Sequence, residues 1–469
     1  NGNYTGIITC HGGTLKWLKG NVSDVNLAFV NSCTTDTSVS STLFAAWKNI
    51  TFSAINAKTI TTLSDLYCFG LFGQFTSFPW TWNHHNSSRL KFRGTGMTNS
   101  GLNSINLIVD VEPSQNCTFH AVSAVNCQFN FNPQVNAQLT IAYLGGSLTS
   151  MLNGCTINYL TSNNGPVPIC GSLYLTGTNT FNVKPDSQKF LIFSSLSYYA
   201  VNSNPTVNLE SDLNIKGTFL PNGNSLIINS NGISRFCISG SSNNGITLSG
   251  SATVSLQYTG IFNGTIHNNL EISPLQGETV TINNLIKNGA LTSIIYSPLG
   301  GMVNIIGQLT FQNSIQVNTP GLTWKNVTIG VSGLTITLNA EFLIDGNLTL
   351  LTTTFSGSYG WTCNNLVVTS AGSVVTLNEA INYATLLNAN VIGTNANRIV
   401  FRSSDIISPI NKAIWHLSAG ASQSMVYTNA NGIDSSAGQT IWSFGATLNE
   451  SVNWNQGMQP KSLGIAFMN

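Results

Sequence analysis

The chain is predicted to be all-β, a right-handed parallel β-solenoid (β-helix) with an irregular amino-terminal region and a carboxy-terminal β cap. The first observation behind this is a repeat. KNVTIGVSGLTITLN at 325–339 is answered by NNLVVTSAGSVVTLN at 364–378, which sets Asn326 over Asn365, Gly333 over Gly372 and Leu338 over Leu377. Looser copies begin at Leu270 and Leu213. The starts Leu213, Leu270, Val327 and Leu366 are then about three, three and two units of about 19 residues apart, the kind of period that marks a solenoid. A unit of that size suits a coil of three short strands and three turns, and GNLTLL at 346–351 falls where the intervening coil belongs.

The second observation is alternation. Leu334-Thr-Ile-Thr-Leu338 places apolar residues at every other position, so one row of side chains faces an interior and the other faces water. A single coil has nothing to bury its apolar row against, whereas stacked coils bury it on one another. Parallel crossovers are overwhelmingly right-handed, which sets the expected hand. An antiparallel sandwich of similar hairpins is the competing arrangement, and a spacing held over four copies favours the solenoid.

The third is composition. Hydrophobic residues make up 42% of the chain and charged residues only 7%, against about 25% charged in an ordinary soluble domain. Asn, Ser, Thr and Gly fill the difference, so the wetted surface is amide and hydroxyl. Surfaces with little charge repel one another weakly, and close packing beside further copies is expected. With 17 basic and 16 acidic residues and no basic block, nucleic acid is not an expected partner. No apolar run approaches the ~20 residues of a membrane-spanning helix. The first residue is Asn1 rather than Met, which leads to the expectation of a processed chain, secreted or matured in a virion.

Taken in order, residues 1–100 read as an irregular cap or interface region, rich in Trp and charge. They carry Trp17, Trp47, Trp80 and Trp82, with a loop-like aromatic stretch at 78–86. Residues 101–204 read as imperfect β coils with insertions, with turn clusters such as that at 162–165 and a longer loop or lateral element at 185–199. Residues 205–400 read as the regular solenoid, roughly ten coils and about 48 Å of stack. Residues 401–469 form a carboxy-terminal cap or assembly segment.

Nine cysteines are present, seven of them before position 171. The closely spaced pairs Cys117/Cys127 and Cys155/Cys170 are candidate disulfides in an oxidising compartment; the alternative is a set of small buried hydrophobes. No Cys-x-x-Cys spacing suggests zinc, and Glu341 and Asp345 are too isolated for a calcium site, so no metal or cofactor is expected. The nine Asn-x-Ser/Thr sequons match what so much Asn, Ser and Thr produces by chance. Such amides are expected to stack as ladders between coils.

Toward the end the chain reads RIVFRSS at 398–404, then AIWHL at 413–417, IDSSAGQTIW at 433–442, and Asn453-Trp454. This tail resembles the carboxy-terminal end of repetitive β-solenoid surface proteins of bacteriophages and bacteria. In those, an Arg-Ser-Ser strand is followed by an Ile-Asp-Ser turn, an aromatic strand and a terminal Asn-Trp. With the preceding coils the resemblance covers about the last third of the chain. It implies architecture, not activity. The present chain continues past Trp454 to Asn469, a segment expected to pair with a neighbouring subunit.

Phage tailspikes of this architecture often cleave polysaccharide with carboxylates on an outer face. Two pairs here have the i, i+2 spacing that points both side chains one way: Asp110 with Glu112, and Glu210 with Asp212. Carboxyl groups about 5–5.5 Å apart would suit retention and about 6.5–9.5 Å inversion. Acids at strand ends are more often solvated, and no catalytic residue is assigned. Trp80, Trp82, His84 and His85 form a candidate carbohydrate-binding patch. Adjacent histidines on a strand face opposite ways, so the two are not expected to share a metal. The expected function is that of a non-enzymatic structural or adhesive protein, extracellular or on a virion surface. Its expected partners are copies of itself, as a trimer or a filament, with surface glycans as a second class. A filament subunit and a polysaccharide-cleaving spike are the alternatives.

Overall fold

The computed structural model describes residues 246–405 and 411–458 without interruption. Over residues 3–239 it describes the strands and their shorter connections. The turn at 162–165, residues 184–191 and the final 459–469 lie outside the described residues. Every regular element described is a strand, and no helix is long and apolar enough to cross a membrane. The chain divides into two compact units, 1–242 with 246–255 and 243–245 with 256–469. Each is a parallel β-solenoid.

The first unit follows from the alternation. A lap consists of three short strands, for example Leu71–Gln74, Trp80–His84 and Leu90–Phe92. Each strand pairs in parallel with its counterpart one lap away. One inward column runs Leu66, Leu90, Val109, Phe129, Ile157, Phe181, Leu209 in consecutive register. All seven side chains are at most 1% exposed. Burying such a side chain contributes about 1.5–3 kcal/mol, and the next lap repeats the gain at the same position. Outward positions of the same strands carry Lys91, Asp110, Asn130 and Asn158.

Laps are held in register at the bend before the third strand by left-handed residues. Asn106, Asn126 and Gly154 have φ of 58°, 52° and 65°. Asparagine tolerates this region and glycine adopts it freely. A Cβ on Gly154 would fall 2.4 Å from Asn126 Oδ1, so the third member of this row has no room for a side chain.

In the second unit the column runs Leu285, Leu309, Val327, Leu348, Leu366, Ala389, all fully buried. The repeat seen in sequence is therefore two laps, one from Val327 to Leu348 and the next from Leu348 to Leu366. Laps elsewhere are longer, as from Phe129 to Ile157 and from Leu285 to Leu309. The looser copies read from sequence do not fall in this column. Leu270 lies in a different one, with Ile294, Val317 and Leu338, and Leu213 lies in the first unit opposite Phe236. Every strand of a lap shares one apolar alternation, so a self-match locks as readily onto the wrong strand.

Two further expectations are corrected. The expected irregular region at 1–100 holds regular laps where it is described: the strands Asn49–Phe52, Lys58–Thr62, Trp80–His84 and Leu90–Phe92 sit in the same ladders as the later laps. Within 185–199, Ile192–Tyr199 is a stacked strand between Ile169–Thr176 and Leu213–Asn222, not a lateral loop. At the other end the ladders pass through position 400 without a break. Ile399–Ser403 lies between Val374–Leu377 and Thr428–Asn431.

Amide ladders join the laps. Asn130 donates to Asp110 at 2.6 Å and accepts from Asn158 at 2.7 Å. Asn49 donates to Asn26 at 2.7 Å, and Asn365 donates to Asn347 at 3.0 Å. Each ladder joins residues about one lap apart in sequence.

Candidate functional site

Trp80, Trp82, His84 and His85 do not form a surface patch. Trp80–His84 is a strand rather than part of a loop, and it pairs with Lys58–Thr62. This turns Trp80 and Trp82 inward, where they are 1% and 2% exposed and pack on Phe52. Their indole N–H groups find no acceptor among the described residues. That costs about 1–3 kcal/mol each and is tolerated because each ring buries on the order of 200 Å².

His84 is a framework residue. Its Nε2 accepts from the Ile108 N–H at 2.9 Å, which leaves the proton on Nδ1, 3.0 Å from Thr62 Oγ1. Thr62 in turn meets Ser88, whose hydroxyl donates to the Thr62 carbonyl at 2.7 Å. The imidazole thus ties three consecutive laps, its face stacked on Trp82 at 5.8 Å. Burial holds its pKa down at about 4, so the ring is neutral at physiological pH. Only His85 of the four is exposed.

The paired acids are engaged by arginines. Asp110 receives Arg89 at 3.3 Å, while Glu112 receives Nε and Nη2 of Arg93 at 3.1 and 3.0 Å. Asp212 is clasped by Arg235 through its backbone N–H at 2.8 Å and its guanidinium at 3.2 and 3.0 Å; Glu210 is exposed. These ion pairs join neighbouring laps, which is the role such acids have on a sheet surface. No group of three or more His, Cys, Asp or Glu side chains is placed to hold a metal among the described residues.

The cysteine pairing expected from spacing is also corrected. Cys117, Cys127 and Cys155 are buried free thiols. Cys117 opens the strand Cys117–Val125, opposite Leu139, whereas Cys127 lies beyond the far end of that strand. Cys170 lies in the strand Ile169–Thr176, opposite Ile141, and its side chain is outside the described residues. Cys127 instead faces Cys155, one lap on.

Two features were missed in sequence. The first is a ledge in the second unit. Along one edge Met302–Phe311 pairs with Thr279–Lys287 from Met302 onward. Along the other, only Gln308 to Phe311 are covered, by Asn326–Ile329. The lap from Leu309 to Val327 is shorter than the one before it, from Leu285 to Leu309. The shortened lap brings Thr323–Trp324 beside Met302–Phe311 without pairing to it, and these two residues pair onward with Leu343 and Ile344 instead. Residues 302–306 therefore present an edge that no strand among the described residues pairs with, flanked by Met302 (67% exposed), Ile306 (52%) and Leu299 (51%). Locating this needs the register of each lap, which periodicity alone does not supply.

The second is Lys287, fully buried. Its Nζ donates to Thr292 Oγ1, whose hydroxyl donates to the Gly289 carbonyl at 2.6 Å. Burial lowers the amine's pKa to about 7. A lone Lys in a strand-like pattern reads as a surface residue, so nothing in the sequence marked it.

Comparison with protein-family models, curated proteins and solved structures returns no match.

Proposed function

We propose that this protein is a non-enzymatic structural or adhesive component, exposed on a virion or cell surface, that works by associating with copies of itself. The observation that carries this reading is the ledge at 302–306. A strand edge that no described strand pairs with, flanked by exposed Met302, Ile306 and Leu299, is the kind of surface that proteins normally hide, because unpaired edges and apolar side chains associate readily with another chain. Two further observations support it. The low charge leaves little repulsion between neighbouring copies, and the outward amides are spent on inter-lap ladders rather than on a converging site. The resemblance of the tail to phage and bacterial surface solenoids supports a virion over a cellular filament. The alternative of a polysaccharide-cleaving spike draws on the same scaffold, but its candidate acids Asp110, Glu112 and Asp212 are engaged by arginines.

Sedimentation velocity with electron microscopy of the full chain tests the reading. Assemblies are expected, closed trimers for a spike or open filaments for a fibre, and Met302→Lys with Ile306→Lys should dissociate them. A chain that stays monomeric at about 100 μM, well above ordinary interface dissociation constants, would overturn it. Depolymerisation of capsular polysaccharide, lost on Asp110→Asn, would replace it with the enzymatic alternative.

A further inference from the structure

Two thiols stand opposite each other across the interval between consecutive laps of the first unit. Gln128 pairs with Thr156, and the Thr156 N–H donates to the Cys127 carbonyl at 2.9 Å, which sets Cys127 directly across from Cys155. Neighbouring parallel strands run about 4.8 Å apart, within the roughly 4.4–6.8 Å between α-carbons that a disulfide spans. Both residues are 1% exposed. The Cys127 thiol also reaches the Ser104 and Val125 carbonyls at 3.4 Å, and the Cys155 thiol reaches the Ala124 carbonyl at 3.4 Å. The two thiols thus stand in one row on consecutive laps, each directed at a carbonyl of the lap before it. Of the four cysteines that sequence spacing singles out, only these two meet in this way among the described residues.

We propose that Cys127 and Cys155 are a cross-linking site, joined as a disulfide between consecutive laps when the chain folds in an oxidising compartment. The oxidant is a small-molecule disulfide such as oxidised glutathione. The Cys127 thiolate attacks one of its sulfurs and expels a glutathione thiolate, leaving a mixed disulfide. The Cys155 thiolate then attacks the Cys127 sulfur and expels the second glutathione thiolate. Two protein thiols lose two protons and two electrons, and one glutathione disulfide becomes two glutathione thiols. The exchange takes place before the laps close, because the finished stack buries both sulfurs. Burial then shields the bond from reduction, and the whole lap it encloses, from Cys127 to Cys155, is constrained in the unfolded chain.

The full chain is refolded with a mixture of oxidised and reduced glutathione, transferred to denaturant with iodoacetamide, digested without reduction and mapped by mass spectrometry. The expected result is one linked species holding the Cys127 and Cys155 peptides, which separates on reduction and survives millimolar glutathione while the protein is native. A second readout uses urea unfolding. The oxidised chain should unfold at higher urea than the reduced chain, and Cys155→Ala should remove that difference. Recovery of Cys127 and Cys155 as separately alkylated peptides, or of either linked to another cysteine, would overturn the proposal.

Discussion

Val327 and Leu366 lie in one column with Leu348 between them, although two full laps of chain part the outer two. All three side chains are fully buried, and each closes the apolar face of the lap next to it. Removing the middle one therefore opens a cavity with walls on both sides.

Leu348→Ala is expected to destabilise the second unit by about 2–5 kcal/mol, the range for large-to-small changes in a packed core. Thr349→Ala, on the half-exposed row beside it, should fall within about 0.5 kcal/mol. Urea unfolding followed by tryptophan fluorescence compares the two. Equal midpoints would mean that the column does not carry the stack.

Lys287 makes stability depend on pH above neutrality. Its pKa is about 7 in the folded chain, against 10.5 for an unperturbed lysine. Between those values the unfolded chain binds more protons, so stability should rise as pH increases from about 7 to about 10.5 and carry the full burial penalty below 7. Lys287→Met, similar in length and without a charge, should raise the unfolding midpoint at pH 7 and flatten that slope. The check is a series of urea midpoints at pH 7 and pH 9.5 on both chains.

His84 acts at the acid end. Its pKa is held near 4 by burial, below the ordinary 6.5. Stability is expected to be full above pH 6.5 and to fall as pH drops toward 4, because the unfolded chain takes up the proton first. A protonated ring would also lose its bond from Ile108, since Nε2 could no longer accept. The near-ultraviolet signal of the stacked Trp82 reports the change, and Thr62→Val, which removes the Nδ1 partner, should cost about 1–3 kcal/mol at neutral pH.

Asn130 separates a carboxylate from the rest of its ladder. Asn130→Asp would set a second carboxylate where an amide N–H now donates to Asp110 at 2.6 Å. The variant should lose about 1–3 kcal/mol at pH 7 and recover part of that on acidification, when one of the two acids takes a proton. Thermal melts at pH 7 and pH 4.5 measure both effects. A variant as stable as the parent at pH 7 would show that the ladder is decorative.

What was legible in sequence is what repeats locally. Alternation at Leu334–Leu338 and the match between 325–339 and 364–378 are enough to specify strands, an interior and a stack of laps, because one apolar row per strand has nowhere to go except against the next lap. The reading failed where the same local signal has two solutions. Leu270 and Val327 share their alternation yet lie in different columns, and only pairing between strands distinguishes them. Trp80, Trp82 and His84 resemble a sugar platform by type, but the side of the strand they occupy depends on register with Lys58–Thr62.

Composition and period alone settled that this chain is a stack of β laps with an amide surface. They follow from each residue's own preference for water and from the two-residue pleat. The length of each lap, and so which positions fall opposite one another, was decided by the assembled structure. The short lap from Leu309 to Val327, set on the longer one from Leu285, leaves residues 302–306 unpaired along one edge, and the long lap from Phe129 to Ile157 sets Cys127 opposite Cys155. Bends and connections take up a variable number of residues at little local cost, so lap length is set by what packs across the interior.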